Sequence, residues 1–211
     1  LSAWRKEQRG RSVVDGWRYR VEWRSVGAGF GRGLGGAWLV VAPVGEGRAE
    51  WVRESLVRNG ADDVRVEWVD PAVVGWAEQL TGLSELGGVV SLLGFADAGG
   101  SVVPAGVAGT VGLLRALGEA EVPLWCLTSG AVSAGADDAV TGFEQSMLWG
   151  LGRVAALEQP GCWGGLIDLP EAQDDQVGDL LAWVLSGVSG EDQVALRGGE
   201  VLGRRLVPAP L

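Results

Sequence analysis

The sequence predicts an α/β fold in which a mostly parallel sheet carries helices on both faces. Short apolar segments alternate along the chain with longer segments that have helical periodicity. Strands buried on both faces are apolar throughout, so this alternation is typical of a doubly wound parallel sheet. With 211 residues, 47% of them hydrophobic and 21% charged, the chain is large enough for one globular domain with one core.

The first predicted strand differs from the others because its pattern alternates strictly. Trp17, Tyr19, Val21 and Trp23 fall on one face and charged residues on the other, which indicates a half-buried strand. A glycine-rich linker over 27–36 follows it. The predicted strands are 17–24, 38–42, 65–69, 88–93, 124–128, 165–169 and a last strand or hairpin through 194–207.

Five helices are predicted between these strands. The first ends at Gly60, which suits a C-terminal cap, and the second begins at Asp70-Pro71 with an N-cap acceptor followed by proline. Glycines 106, 109 and 112 allow the third to approach the sheet closely. The predicted ranges are 49–59, 71–80 (with Val73, Ala77 and Leu80 on one face), 104–118, 143–157 (with Met147, Leu151, Val154 and Ala155 at helical spacing) and 175–185.

Charge and composition exclude several classes of function. Residues 1–24 contain seven Lys/Arg and three Asp/Glu, whereas residues 25–196 contain seven Lys/Arg and twenty-three Asp/Glu. The negative charge of residues 25–196 would repel the phosphates of nucleic acid. No apolar run approaches the roughly 18 residues that a membrane span needs, so we expect a cytoplasmic protein. Cys126 and Cys162 lack metal-site spacing, and we expect buried free thiols and no metal site.

The chain is short of residues for acid–base chemistry. It has no histidine, one tyrosine and one lysine. A short-chain reductase uses a serine with a Tyr-x-x-x-Lys pair, but Trp23 stands four residues after Tyr19 and Lys6 lies in the basic N-terminal segment. Ser129, which follows a predicted strand, is interpreted as a turn or capping residue. We therefore predict no catalytic residue.

Two glycine-containing segments are candidates for a dinucleotide-binding loop. Gly31, Gly33 and Gly36 match G-x-G-x-x-G but precede the strand that such a motif must follow, so they are interpreted as linker. The loop after 38–42 keeps Gly45 and Gly47, yet Glu50 stands where the third glycine belongs. This predicts a degenerate loop that binds no cofactor. Asp70 is placed for a ribose contact, but capping the next helix explains it better.

Several segments together resemble the structural subdomain of ketoreductases in bacterial modular polyketide synthases. The block WGLGRVAALE followed by WGGLIDLP is the most specific of them. The resemblance rests on 17–23, 124–132, 148–158, 163–170, 191–197 and 204–208.

This resemblance implies a truncated Rossmann-like half, a degenerate relative of short-chain dehydrogenases/reductases. It would brace a separate catalytic half that carries the NADPH and the catalytic residues, beside neighbouring synthase domains. The implied segments are a basic linker at 1–16, the subdomain at 17–208, and at 209–211 a linker to the catalytic half or to an inserted enoylreductase. The predicted contacts with the catalytic half are Trp17, Tyr19, Val21, Trp23, Val201 and Leu206.

Two other functions stay open on the sequence. The chain could be a free-standing, NADPH-binding short-chain reductase-like domain that still uses the loop at Gly45 and Gly47. It could also be a scaffold for protein contacts in a megasynthase that stabilises no reductase.

Overall fold

A computed structural model describes residues 15–27, 33–97, 102–118 and 120–209 of the chain. Most of the predicted linker at 1–16 lies outside these residues, as do Gly31 of the first glycine motif and residues 210–211.

The described residues contain an eight-stranded sheet of order β1-β8-β7-β6-β5-β4-β2-β3. Neighbours from β3 across to β7 pair in parallel, whereas β8 is antiparallel to β7 and β1 is antiparallel to β8. The predicted mostly parallel sheet is therefore confirmed. The strands are β1 (Tyr19–Ser25), β2 (Ala37–Pro43), β3 (Asp63–Val69), β4 (Leu86–Ser91), β5 (Leu124–Ser129), β6 (Trp163–Leu169), β7 (Gln193–Arg197) and β8 (Glu200–Pro208).

Within the described residues, four α-helices cover the two faces of this sheet. They are α1 (Arg48–Arg58), α2 (Ala105–Gly118), α3 (Ser146–Glu158) and α4 (Asp175–Leu185). One buried apolar cluster contains side chains of α1 and α4, and a second, on the other face, contains side chains of α2 and α3. Helices on both faces are thus confirmed. In the described part of the chain, no helix is both long and apolar enough to cross a membrane.

The helix predicted from Asp70-Pro71 is wrong. Residues 71–76 form turns, and only a short 3₁₀ segment, Ala77–Gln79, follows. Two β-branched residues, Val73 and Val74, stand before Gly75, whose φ of +82° is left-handed, and an α-helix cannot continue through that conformation. Asp70 accepts the Ala72 N–H at 3.0 Å and so stabilises a turn.

The predicted terminal hairpin is confirmed. Gly198 and Gly199 join β7 to β8, and their φ values of +56° and +78° suit the two-residue turn that joins antiparallel strands. Through this reversal and the further pairing of β8 with β1, the sheet extends beyond the part that helices cover.

Tryptophan rings lie over glycines of adjacent strands. A Cβ atom on Gly88 of β4 would collide with the Trp38 ring of β2, and one on Gly164 of β6 would lie 2.6 Å from Trp125 Nε1 of β5. In both pairs, the absence of a side chain on one strand makes room for the indole of its neighbour. Several of the tryptophans therefore belong to the core.

Candidate functional site

The first candidate site is the crevice at the carboxyl ends of the parallel strands, where ligands bind in doubly wound sheets. Here the loop from β2 leads into α1 through Gly45, whose φ is +87°, and Gly47. In a dinucleotide-binding protein, the N-terminus of this helix receives the pyrophosphate because its N–H groups are unpaired and its dipole favours anions.

A carboxylate of the chain itself occupies this helix N-terminus. Glu46 Oε1 accepts the backbone N–H of Arg48 at 3.1 Å and the Arg48 guanidinium at 2.8 Å. The Arg48 guanidinium also lies over the Phe95 ring, 4.4 Å from its centroid. Glu46 thus places a carboxylate of the chain at the N-terminal end of α1.

Glu50, which stands in place of the third glycine, lies in the first turn of α1. Its side chain is half exposed and pairs with Arg53, one turn further along α1, at 2.6 Å. The carboxylate that meets the helix N-terminus is that of Glu46, which the sequence analysis did not single out. The preference of helix N-termini for acidic side chains could have indicated it.

A buried polar network fills the next part of the crevice. Asp168, at the end of β6, is fully buried, and its Oδ1 accepts the Thr128 hydroxyl at 2.5 Å and the Ala131 N–H at 3.0 Å. Its Oδ2 pairs with Arg197 at 2.6 Å, and Arg197 also reaches Asp138 at 2.9 Å. These bonds tie the ends of β5, β6 and β7 to the loop that follows β5.

Ser129 has the place of a catalytic serine without the surroundings of one. Its hydroxyl donates to the Leu169 carbonyl at 3.2 Å, and its N–H donates to Gln145 Oε1 at 2.9 Å. Tyr19 lies on β1, at the far edge of the sheet, and cannot assist it. Within the described ranges, no three acidic or thiol side chains are grouped to hold a metal ion.

The second candidate site is the surface formed by one face of β1 and β8, at the edge of the sheet. The register pairs Tyr19 with Pro208 and Val21 with Leu206, so these side chains share a face. Tyr19 is 55% and Leu206 62% exposed, which is unusual for apolar residues on a sheet. We call these four residues the edge patch.

The remaining predicted contact residues have different surroundings. Trp17 lies in the turn before β1 and is 73% exposed. Trp23 packs edge-on against Trp149 of α3, with ring centroids 5.8 Å apart. Val201 is fully buried in the core of this chain, so its side chain is not available at the surface.

On the opposite face of β1, the charged side chains pair with one another. Glu22 accepts hydrogen bonds from Arg20 and Arg24, and these bonds lower the pKa of its carboxyl. The two faces of the strand therefore differ, since one is apolar and exposed whereas the other is a solvated set of ion pairs.

Residues 38–206 match the model of a protein family described as the Rossmann fold domain of the polyketide synthase extender module SpnB. The chain belongs to this family. The match spans the sheet from β2 into β8 and includes the crevice, and it confirms the resemblance to modular polyketide synthase ketoreductases that the sequence motifs indicated.

Relatives of this Rossmann fold domain are far longer proteins. The chain is 46% identical to the polyketide synthase GfsA of Streptomyces halstedii over 224 aligned residues, which cover 99% of the chain and 3% of GfsA. The structure of a C2-type ketoreductase from a modular polyketide synthase superposes with a TM-score of 0.83 at 42% identity, covering 93% of this chain and 44% of that one.

A wider likeness confirms the fold class. A short-chain dehydrogenase from Burkholderia cenocepacia in complex with NADP superposes with a TM-score of 0.57 at 12% identity, covering 79% of this chain and 90% of that protein. The Rossmann fold domain thus has the short-chain dehydrogenase fold.

Proposed function

We propose that this chain is the structural, non-catalytic half of a ketoreductase in a modular polyketide synthase. Its role is to stabilise a separate catalytic half, which binds NADPH and reduces β-ketoacyl groups carried on acyl carrier protein. In this proposal residues 17–208 form the subdomain, and the segments on either side link it to the rest of the synthase.

The observation that carries this proposal is the state of the crevice. At the helix N-terminus that would receive a pyrophosphate, the carboxylate of Glu46 accepts hydrogen bonds from the N–H and from the guanidinium of Arg48, so these donors already have an acceptor. Further along the same edge of the sheet, the ends of β6 and β7 are cross-linked by the Asp168–Arg197 pair. The residues present therefore do not fit a dinucleotide, and Ser129 has no tyrosine to assist it.

The size of the chain relative to its neighbours supports a partner. It covers 44% of the C2-type ketoreductase, so more than half of that polypeptide lies outside the shared part. The edge patch, which would expose Tyr19 and Leu206 in an isolated protein, is a surface that such a partner would cover.

Co-expression with the catalytic half from the same synthase tests this function. The two halves together should give a soluble complex that melts higher than either half and reduces a model β-ketothioester with NADPH. The catalytic half alone should be poorly soluble or less active, and the present chain alone should be inactive. Equal solubility, melting temperature and activity of the catalytic half with and without this chain would refute bracing and favour a scaffold.

Titration with NADPH separates the proposal from a free-standing reductase. NADPH fluorescence should not change saturably when the purified chain is added, because Glu46 occupies the phosphate position. The assembled complex is the positive control for the same titration. Saturable binding to the chain alone, abolished by blocking the loop with Gly45→Trp, would contradict the proposal.

A further inference from the structure

The loops at the carboxyl ends of the parallel strands expose apolar side chains. Val44 follows β2, Val74 follows β3, Val102 follows β4 and Phe143 lies in the loop after β5. Their exposed fractions range from 73% for Phe143 to 97% for Val74. The four strands are adjacent in the sheet, so these loops share one edge of it, away from the edge patch on β1 and β8. Exposed apolar side chains grouped in one region mark interaction sites.

The same loops carry negative charge without cations of their own. Eight Asp or Glu and no Lys or Arg occur in the five loops that follow β2 to β6, at 44–47, 70–76, 92–104, 130–145 and 170–174. Two of these acids, Glu46 and Asp138, pair with arginines just outside the loops, Arg48 and Arg197. A partner that binds at this edge therefore has to supply positive charge.

A cleft of about 410 Å³ opens between the loops after β2, β4 and β5. We call its aromatic and acidic residues the loop cleft: Glu46, Phe95, Asp97, Phe143 and Glu144. Arg48 also lines the cleft and pairs with Glu46. Within the described residues, Asp97 and Glu144 form no salt bridge. The loop cleft thus combines net negative charge with two aromatic rings.

The backbone that carries Phe143 is closely packed. The Gly130 carbonyl accepts the N–H groups of Thr141 and Gly142 at 2.9 and 2.8 Å. A Cβ atom on Gly142 would lie 2.6 Å from the Ser129 carbonyl oxygen, so the two sides of the loop touch. Phe143 is therefore presented to solvent by an ordered backbone. An aromatic side chain that is positioned before binding loses little entropy on binding, and such residues dominate the free energy of protein interfaces.

We propose that the loop cleft binds a basic protein segment from a neighbouring part of the synthase. The segment places an apolar side chain beside Phe143 and Lys or Arg against Asp97 and Glu144. This goes beyond the proposed function, because the segment is not part of the catalytic half and its binding does not depend on bracing. The matching part of GfsA is 3% of that protein, so a relative of this kind has ample chain to supply the segment.

A fluorescein-labelled peptide in which a leucine is flanked by lysines tests this chemistry on the free chain. Its fluorescence anisotropy should rise saturably as the chain is added, and the affinity should fall as salt is raised. A peptide with glycine in place of leucine should bind more weakly by a factor of about five or more, because it lacks the apolar contact. A peptide with glutamates in place of the lysines should not bind.

Phe143→Ala should weaken binding of the leucine peptide by a factor of about five or more. Because the ring is exposed in the free chain, the melting temperature should not change. The matched control is Val188→Ala, which removes an apolar side chain that is 57% exposed in the loop after α4. It should alter neither binding nor melting.

Glu144→Lys tests the electrostatic part, since it reverses a charge that lines the cleft. Binding of the leucine peptide should weaken, and its dependence on salt should become smaller. Glu85→Lys makes the same change in net charge at an exposed position before β4 and is the control. Its effect on binding should be much smaller than that of Glu144→Lys.

A photo-cross-linking amino acid at position 143 of the intact synthase identifies the segment. Mass spectrometry should find position 143 joined to a peptide from outside the ketoreductase that has Lys or Arg beside an apolar residue. The same group at position 188 is the control and should not reach that peptide.

Several outcomes would overturn this proposal. They are no saturable binding of the leucine peptide, equal binding of the leucine and glycine peptides, or equal losses for Glu85→Lys and Glu144→Lys. A cross-link from position 143 to the catalytic half, to residues 1–14 or to a second copy would assign the loop cleft to another occupant. No cross-link beyond that seen from position 188 would also refute it. Bracing is tested separately by co-expression, so a failure there leaves these results unchanged.

Discussion

Removing the carboxylate of Asp168 should destabilise this protein more than removing any exposed carboxylate. Asp168 is fully buried and accepts bonds from Thr128, from the Ala131 N–H and from Arg197, at 2.5 to 3.0 Å. Asp168→Ala leaves two buried donors without their acceptor and leaves Arg197 with Asp138 as its remaining carboxylate partner. Breaking a buried pair by removing one partner costs about 3–5 kcal/mol.

Urea unfolding, followed by tryptophan fluorescence, measures this cost. For a chain of this size, a loss of that magnitude lowers the melting temperature by on the order of 10 °C. The control is Glu50→Ala, which removes a carboxylate from the exposed pair with Arg53 and should change stability by less than about 1 kcal/mol. A loss below 1 kcal/mol for Asp168→Ala would show that the crevice is not held by this network.

Two further predictions concern the core. Gly88→Ala should lower the free energy of unfolding in urea by about 1–3 kcal/mol, because its methyl group meets the Trp38 ring. The control Gly135→Ala has open space and should change this free energy by no more than about 0.5 kcal/mol, so equal effects of the two variants would contradict the packing. Burial raises the pKa of the Cys126 thiol to about 12, so at pH 8 the thiol is protonated and should react with a thiol reagent only after unfolding. Absorbance at 412 nm with a disulfide reagent such as DTNB measures this reaction, and prompt reaction of Cys126 in the native protein would refute its burial.

The sheet could be predicted from the sequence because its signals are local. Residues 38–42 and 124–127 are apolar throughout, and that property alone indicates strands covered on both faces. The hairpin at Gly198 and Gly199 is also marked locally, by two adjacent glycines. The helix predicted after Asp70 is wrong because an N-cap residue followed by proline favours only the start of a helix. The residues that follow, Val73, Val74 and Gly75, do not favour its continuation.

The candidate sites depend on distant residues, and the sequence predicted less of them. Asp168 lies 40 positions from Thr128 and 29 from Arg197, and no spacing rule connects them before the strand order is known. Glu46 could be found only by asking which carboxylate reaches the start of α1. For Tyr19, alternation indicated one face correctly, but the sequence alone could not show that its side chain is 55% exposed.

The internally paired polar groups of the crevice and the exposed apolar surface have a common physical explanation. A sheet that binds a dinucleotide must leave its strand ends open, which costs stability because polar groups there lack partners until the ligand arrives. In this chain Glu46 and the Asp168–Arg197 pair satisfy those groups internally, so the crevice contributes to the stability of the isolated chain. Among the described residues, the apolar side chains of the edge patch remain exposed. If the chain acts by supporting another domain, mutations of the paired polar groups in the crevice should change the melting temperature of the free chain, and mutations in the edge patch should change the complex alone.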